Sequence, residues 1–414
     1  MMEETFDNGV PKLAVSDYDY LLRADQIAQY AVEPRDSSKL LIWNQGEIKD
    51  RQFFALDQEL GADDLLVAND TKVIPARLHA TTTVGHQIEI FLLKPLDPDW
   101  FNWEAMVGNR RRFKEGDEAV VLGELKLRWL NREENQIVFE LPAGYSSMPE
   151  AIDALGQVPL PPYIDRGVEL GDKERYQAIF AQKAGAVAAP TASLHFTEEL
   201  ERRMTGKGIG LAKLTLHVGA GTFKPMTGDY AHQHDMHAER FEIGPALILA
   251  LMERMFARET GEGEVLVAET GGRGQGRVVA IGTTSMRVLE SLYYIGVRIL
   301  GNQWGGRVET DDAYSDLSMR LLHREVDLKE SLQAILDFCV QGEGYLAGET
   351  KIFIVSGFNF RICDGIITNF HQPKSTLLML VDAFLGGKWR DIYGHAQLKG
   401  YRFLSYGDGS LLWR

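Results

Sequence analysis

Two histidines close apolar runs that end in small-residue loops. His195 ends GAVAAPTASLH, and His217 ends LAKLTLH and runs into Gly-Ala-Gly-Thr. In open α/β sheets ligands sit where strand ends meet loops, and an imidazole there exchanges protons near neutral pH. Each alone reads equally as a hydrogen-bonded structural histidine; the pair, with Pro-Thr-Ala-Ser and Gly-Ala-Gly-Thr alongside, points to chemistry. A third, His371, follows GIITNF together with Asn369 and precedes Pro373, Lys374, Ser375 and Thr376. A similar turn, Thr283-Thr284-Ser285 with Arg287, follows VVAIG. Hydroxyls and free N–H groups at a helix start make an anion site for phosphate or carboxylate, or else a plain cap. Asn69-Asp70-Thr71 ends LLVAN, with Lys72 and Arg77 next, and reads as a turn or a ligand contact.

Two further clusters stand apart from these turns. His232, His234 and His237 form H-x-H-x-x-H with Glu239 two residues on. Zinc-like metals use such ligands, but the spacing matches neither HExxH nor a finger, and contact with a polar substrate is the reading taken. Arg110, Arg111, Arg112 and Lys114 surround Phe113 before a Glu-Gly-Asp turn. That is a solvated hairpin tip or a grip on a nucleic-acid backbone. No G-x-x-x-x-G-K-[ST] and no G-x-G-x-x-G closes a strand–helix unit, which disfavours an ordinary ATPase or nicotinamide dehydrogenase.

The elements that must position these groups follow from periodicity and punctuation. LLIWN and GEIKDRQF predict a hairpin, and LLVAN a buried strand. From Arg77 to about Ala143, alternating segments between turn signals predict a small antiparallel barrel or sandwich. PLPPYIDRG is an extended connector, because its prolines forbid regular structure. Helices are expected in ADQIAQYA, in DKERYQAIFAQ, in TEELERRMTGKG with Thr197 as N-cap, in PALILALMERMFARET, after VVAIG and in LKESLQAILDFCV. Another helix is expected to start at Pro373, with Lys374, Ser375 and Thr376 in its first turn. Strands are expected in AVAAPTASLHFT, LAKLTLH, VVAIG, KIFIV, FRICDG and GIITN, and a last one in YRFL leading into Tyr-Gly-Asp-Gly.

Composition bounds the class. The 414 residues exceed one ordinary core, and 45% hydrophobic with 25% charged residues is globular composition. The N-terminus lacks the basic–apolar–small progression of a signal peptide, and no apolar run reaches membrane-spanning length. Cys339 and Cys363 form neither a metal pair nor a disulfide framework, which fits a reducing cytoplasm. A net charge of −15 argues against indiscriminate nucleic-acid binding but leaves room for a local basic surface.

The blocks EPRDSSKLL, LLVANDTKVIPARL, PLPPYIDR, KERYQAIFA, GAVAAPTASLHFTEEL, LTLHVGAGTFKP, MHAE, GTTSMRVLES, ITNFHQPKSTLLMLV and YRFLSYGD, in this order, resemble the S-adenosylmethionine:tRNA ribosyltransferase-isomerases of queuosine biosynthesis. The resemblance runs from Tyr18 to Asp408. It implies a mixed α/β/α sandwich domain, 1–76 and 156–414, with an inserted β-barrel-like domain at 77–155. It also implies transfer of the ribosyl part of S-adenosylmethionine to 7-aminomethyl-7-deazaguanine at the tRNA wobble position. The products are epoxyqueuosine, adenine and methionine. That chemistry removes protons from the amine and from the 5′ carbon and delivers one to adenine, with no need of a metal or prosthetic group.

His195, His217 and His371 are the expected proton-handling set. Thr283, Thr284, Ser285 and Arg287 are candidates for the methionine carboxylate or a tRNA phosphate, and Lys374, Ser375 and Thr376 for the other anion. Asn69, Asp70, Asn369 and Asp408 are candidates to read ribose or base. A splayed anticodon loop is the expected partner, gripped through Arg110–Lys114, with the protein cytoplasmic and monomeric. The chain departs from the family pattern at Ser193, Gln372 and Ser356-Gly357, and most at 308–349, an expected insertion with its own helix. These departures bear on the acceptor more than on the donor and keep open a different amine; separate alternatives are a paralogue that binds tRNA or S-adenosylmethionine without turnover and a metal-dependent hydrolase built on His232, His234 and His237.

Overall fold

The computed structural model describes residues 9–219, 226, 228–259, 265–267 and 276–414. The chain opens with the hairpin β1 (Lys39–Asn44) and β2 (Glu47–Gln52). Its two-residue turn puts Gln45 and Gly46 at φ 49° and 91°, the left-handed pair that matches the twist of the strands. β3 (Leu65–Asn69) and β4 (Thr71–Val73) follow. Then come β5 (Arg77–Thr82), β6 (Gln87–Pro95), β7 (Asn102–Val107), β8 (Glu118–Val121), β9 (Leu125–Asn131) and β10 (Gln136–Glu140). These six close into a barrel in the order β10-β7-β6-β5-β8-β9. Alternation does this: in β9, Leu125, Leu127 and Trp129 are buried while Lys126, Arg128 and Leu130 face out. α1 (Met148–Leu155), capped by Ser147, adds Met148, Ala151, Ile152 and Leu155 to the barrel core.

The chain returns through α2 (Asp172–Arg175) and β11 (Lys183–Ala186), which pairs with β4. α3 (Glu198–Gly206) starts where the Thr197 hydroxyl accepts the Leu200 N–H. β12 (Gly210–His217), β13 (Glu239–Ile243), α4 (Pro245–Phe256), and the pair β14 (Ala257–Glu259) and β15 (Val265–Val267) come next. After β16 (Val278–Ile281) and α5 (Thr283–Leu300) come β17 (Arg307–Val308), α6 (Leu317–Leu322), α7 (Leu328–Gln341) and β18 (Leu346–Thr350). The chain ends with β19 (Gly365–Asn369), α8 (Thr376–Phe384), α9 (Trp389–Leu398) and β20 (Gly409–Trp413).

Among the described residues a ten-stranded sheet runs β17-β18-β13-β12-β3-β16-β19-β20-β1-β2. Its central strands β12, β3, β16 and β19 are parallel. Both faces are covered, so these strands are apolar throughout rather than alternating. Leu65 and Val67 of β3, with Val278 and Ala280 of β16, enter the core shared with α4, α5, α7 and α8. Leu66, Ala68, Val279 and Ile281 enter the opposite core, with Phe53, Phe196 and Leu200 of α3. This is a mixed α/β/α sandwich carrying a β-barrel. No helix of the described residues is long and apolar enough to cross a membrane.

Several local expectations fail for physical reasons. ADQIAQYA contains a single three-residue 3-10 turn, Ala24–Gln26, and DKERYQAIFAQ a four-residue helix. Short segments need a packed face to hold a helix, and here the backbone is taken up by contacts to other segments: Gln26 bonds Phe403, and Gln177 bonds Val73. AVAAPTASLHFT is not a strand: after Ala186 it is irregular, and His195 ends a 3-10 turn, Thr191–His195. KIFIV and all of FRICDG before Gly365 pair in no sheet; Ile352, Ile354, Ile362 and Cys363 are buried by packing instead. Pro373 and Lys374 precede α8, whose N-cap is Ser375, and Lys374 has φ 55°. The last strand follows the Tyr-Gly-Asp-Gly turn rather than leading into it. Residues 220–222 of the Gly-Ala-Gly-Thr loop and 271–275 before β16 lie outside the described residues.

The 308–349 segment is built into the main core rather than attached to it. β18 pairs with β13, and α7 crosses α5 so closely that a Cβ on Gly296 would lie 2.1 Å from Ser331 Oγ. The Ser331 hydroxyl donates to the Tyr293 carbonyl at 2.8 Å.

Candidate active site

The four parallel strands end at one edge, at His217, Asn69, Ile281 and Asn369. A cleft lies there, walled by the Ala188–Ala192 segment, Gly282–Thr284, Thr368–Gln372 and Ser405. Gly282, at φ 92°, turns β16 into α5 with no side-chain cap. Among the described residues the N–H groups of Thr283, Thr284 and Ser285 have no acceptor, so the positive end of an 18-residue helix opens on the cleft. The Ser285 hydroxyl is buried there without a partner.

His371 lines the same cleft. Its Nε2 meets Thr368 Oγ1 at 2.9 Å, its N–H donates to the Tyr393 hydroxyl, and its carbonyl accepts from the Tyr20 hydroxyl. Nδ1 has no partner among the described residues. Burial pushes the imidazole down to about 3, so it is neutral at pH 7. Asn369 also lines the cleft, accepting from Thr191 Oγ1 at 3.0 Å and donating to the Leu404 carbonyl and to His195 Nε2. His195 lies behind it, outside the lining. With Nε2 accepting, the hydrogen-bond pattern assigns the proton to Nδ1, which donates to Ser38 Oγ at 3.0 Å. The ring stacks on Phe53, and burial, with Arg402 nearby, holds it down to about 3.

His217 faces a second, larger space of about 1020 Å³ between barrel and sheet. Its ring covers Gly185, where a Cβ would come within 2.8 Å, and its Nδ1 is 3.3 Å from Thr71 Oγ1. Burial lowers its pKa. Trp100 and Lys94 of the barrel side, Arg307, and Glu309 and Glu349 from the 308–349 segment, wall this groove. Val218, next to His217, lines both spaces.

The model of the family described as queuosine biosynthesis protein matches residues 15–412. The chain belongs to that family. It is 39% identical to the S-adenosylmethionine:tRNA ribosyltransferase-isomerase of Magnetococcus marinus over 96% of this chain and 94% of that one. It is 37% identical to the protein of the same name from Desulfitobacterium hafniense over 97% and 100%. A crystal structure of a Thermotoga maritima S-adenosylmethionine tRNA ribosyltransferase is similar, at 27% identity and TM-score 0.45, covering 96% of this chain and 99% of that one.

In this family member the other residues singled out by sequence are placed unevenly. Thr283, Thr284, Asn369, His371 and Ser375 share the cleft. Ser375 caps α8, accepting the Leu378 N–H, and Thr376 begins that helix. Lys374 pairs with Asp19 at 2.7 Å on the surface. Arg287 sits a turn below Thr283, fully enclosed, its guanidinium bonded to Glu239 and to the Ile352 carbonyl; that charge is spent inside the core and does not reach the cleft. The Asn69 amide is used up joining β3 to β12 through Leu216 and Thr71. Asp70 accepts from Thr215 Oγ1, and Arg77 pairs with Glu89 on the barrel. Asp408 binds the N–H groups of Lys39 and Arg402, closing the loop before β20 instead of meeting a ligand.

His232 stacks on Tyr230, His234 packs on Phe353, and His237 faces Glu239. No group of three or more His, Cys, Asp or Glu gathers to hold a metal among the described residues. Arg110 lies over Trp129, and Arg111, Arg112 and Lys114 are exposed between β7 and β8, with Phe113 buried in the barrel beneath them. That loop follows β7 at its C-terminal end, and none of its residues lines the groove, which β7 reaches through Glu104.

Sequence reasoning missed Tyr163, Thr191, Thr368 and Ser405 as cleft residues. Tyr163 carried a signal, an aromatic inside PLPPYIDR, but that segment reads as a connector.

Proposed function

We propose that this protein transfers the ribosyl group of S-adenosylmethionine to the aminomethyl group of 7-aminomethyl-7-deazaguanine at the tRNA wobble position, giving epoxyqueuosine, adenine and methionine. The observation that carries this is a cleft holding an open helix N-terminus and a neutral imidazole beside a groove of about 1020 Å³ that shares Val218 with it. The donor occupies the cleft. The methionine carboxylate accepts from the N–H groups at the start of α5, where the helix dipole favours negative charge. His371 takes a proton through Nδ1, and a neutral imidazole is the form able to do so. The flipped-out acceptor base enters the groove, bringing its amine past His217. The residues supply acid–base and anion-binding groups, and the reaction calls on no prosthetic group. We place the enzyme in the cytoplasm as a monomer.

The test mixes purified protein with S-adenosylmethionine and tRNA bearing 7-aminomethyl-7-deazaguanine and quantifies products by mass spectrometry. Adenine, methionine and epoxyqueuosine are expected together, and His371→Ala is expected to slow turnover by about 10² to 10⁴. Adenine without epoxyqueuosine would move the acceptor to another amine. Neither product, from folded protein, would overturn the reading.

The exposed loop of Arg111, Arg112 and Lys114 follows the tRNA backbone in this proposal. Replacing all three with Gln is expected to weaken tRNA binding and to reduce the slope of log K against log salt by about 1 for each phosphate that the loop neutralises. An unchanged slope would leave the loop a solvated hairpin tip.

A further inference from the structure

Proton transfer at the cleft needs more than His371. The leaving adenine must gain a proton, while the amine and the 5′ carbon lose theirs. Of the three histidines, His195 is sealed behind Asn369 with both ring nitrogens engaged, and His217 faces the groove. A different pair lines the same cleft as His371. The Tyr163 hydroxyl lies 2.6 Å from Ser405 Oγ, and both residues line the cleft.

Both groups are fixed in place. Tyr163 follows Pro161-Pro162, its ring packs against two cores, and its carbonyl accepts from Gln29 Nε2 at 3.1 Å. Ser405 follows Leu404, which has φ 69°. Leu404 donates its N–H to Phe370 and accepts from the Asn369 side chain, tying the Ser405 loop to the strand end that carries His371. At neutral pH the Tyr163 phenol carries its proton and the His371 imidazole does not, burial raising the one to about 12 and lowering the other to about 3.

We infer that Tyr163, backed by Ser405, is a catalytic residue that delivers the proton to the departing adenine. The bond from C1′ to the adenine nitrogen breaks, and its electron pair leaves with the base. The phenol proton passes to the base, and the phenolate that remains accepts a hydrogen bond from the Ser405 hydroxyl. The phenolate regains its proton from those that the reaction releases at the amine and the 5′ carbon, so no outside reagent is required. This inference rests on the cleft as the donor site.

The test compares the full-length protein with Tyr163→Phe, which keeps the ring and removes one oxygen. Single-turnover adenine release is expected to fall about 100-fold or more, with S-adenosylmethionine affinity by calorimetry changing less than about threefold. The decisive readout uses a donor carrying 8-azaadenine, whose anion is a weaker base and leaves with less help. The Tyr163→Phe defect is expected to shrink with that donor, which a packing role would not produce. Ser405→Ala is expected to show the same dependence with a smaller defect, and it serves if Tyr163→Phe does not fold. Adenine release within threefold of the parent, or an equal defect with both donors, would overturn the inference. A parent protein that never binds or consumes S-adenosylmethionine would instead overturn the function beneath it, and that is seen before any variant is made.

Discussion

Between pH 7 and pH 5 the folded state is expected to lose about 4 kcal/mol of stability, well before its carboxylates are protonated. The cause is two imidazoles enclosed in neutral form. His195 and His371 are both held down to about 3 by burial, whereas in the unfolded chain a histidine titrates near 6.5. Between those values the unfolded chain binds more protons than the folded one, so stability rises with pH across the window and falls as pH drops from about 6.5 toward 3. At pH 5 each group is about 1.5 units below its unfolded value, which is about 2 kcal/mol per histidine. His217 and His234 are shifted in the same direction, also by burial, and add to the loss. Asp50, Asp57, Asp97 and Asp172 are lowered and contribute only in more acid solution. Urea unfolding at pH 7, 6 and 5 measures the loss, and His195→Asn should remove about half of it. A stability that stays level to pH 5 would mean that these rings are protonated in the folded protein.

Arg287→Ala is expected to cost about 3–5 kcal/mol of folding stability. The guanidinium is 2% exposed and bonds the Glu239 carboxylate, with its Nε on the Ile352 carbonyl at 3.0 Å. Truncation leaves the Glu239 carboxylate in the core without its guanidinium, and that uncompensated charge is the main penalty. Arg287→Met with Glu239→Leu removes both charges and is expected to recover most of the loss. Denaturant midpoints for the two single variants and the double variant measure this coupling. A loss below about 1 kcal/mol for Arg287→Ala would be the behaviour of an exposed arginine and would make Arg287 a candidate ligand again.

Arg287 also marks the limit of reading a site from spacing. GTTSMR announces a strand, a turn and a helix with an anion-binding start, and Thr283 and Thr284 do reach the cleft. Four residues on, the same helix carries the arginine one turn deeper, to a carboxylate from β13. Nothing in the local pattern names Glu239 as that partner. The histidines divide in the same way. His195 and His371 are equally buried, but Ser38 and Asn369, 157 and 174 residues away along the chain, close one ring off, while the other keeps a nitrogen for the cleft.

By itself the sequence determined what depends on period and punctuation. Two-residue alternation specified the barrel, continuous apolar runs specified the buried parallel strands, and Thr197 placed the start of a helix. The ordered motif blocks determined the family. Tertiary structure alone decided which polar groups are used up in holding the fold and which remain for a ligand. It turned Asn69, Asp408 and Arg287 inward, brought Tyr163 and His371 to one cleft, and reduced KIFIV and ADQIAQYA to irregular or single-turn segments. The physical reason is that a hydrogen bond or ion pair needs both partners, and here the second partner comes from distant chain.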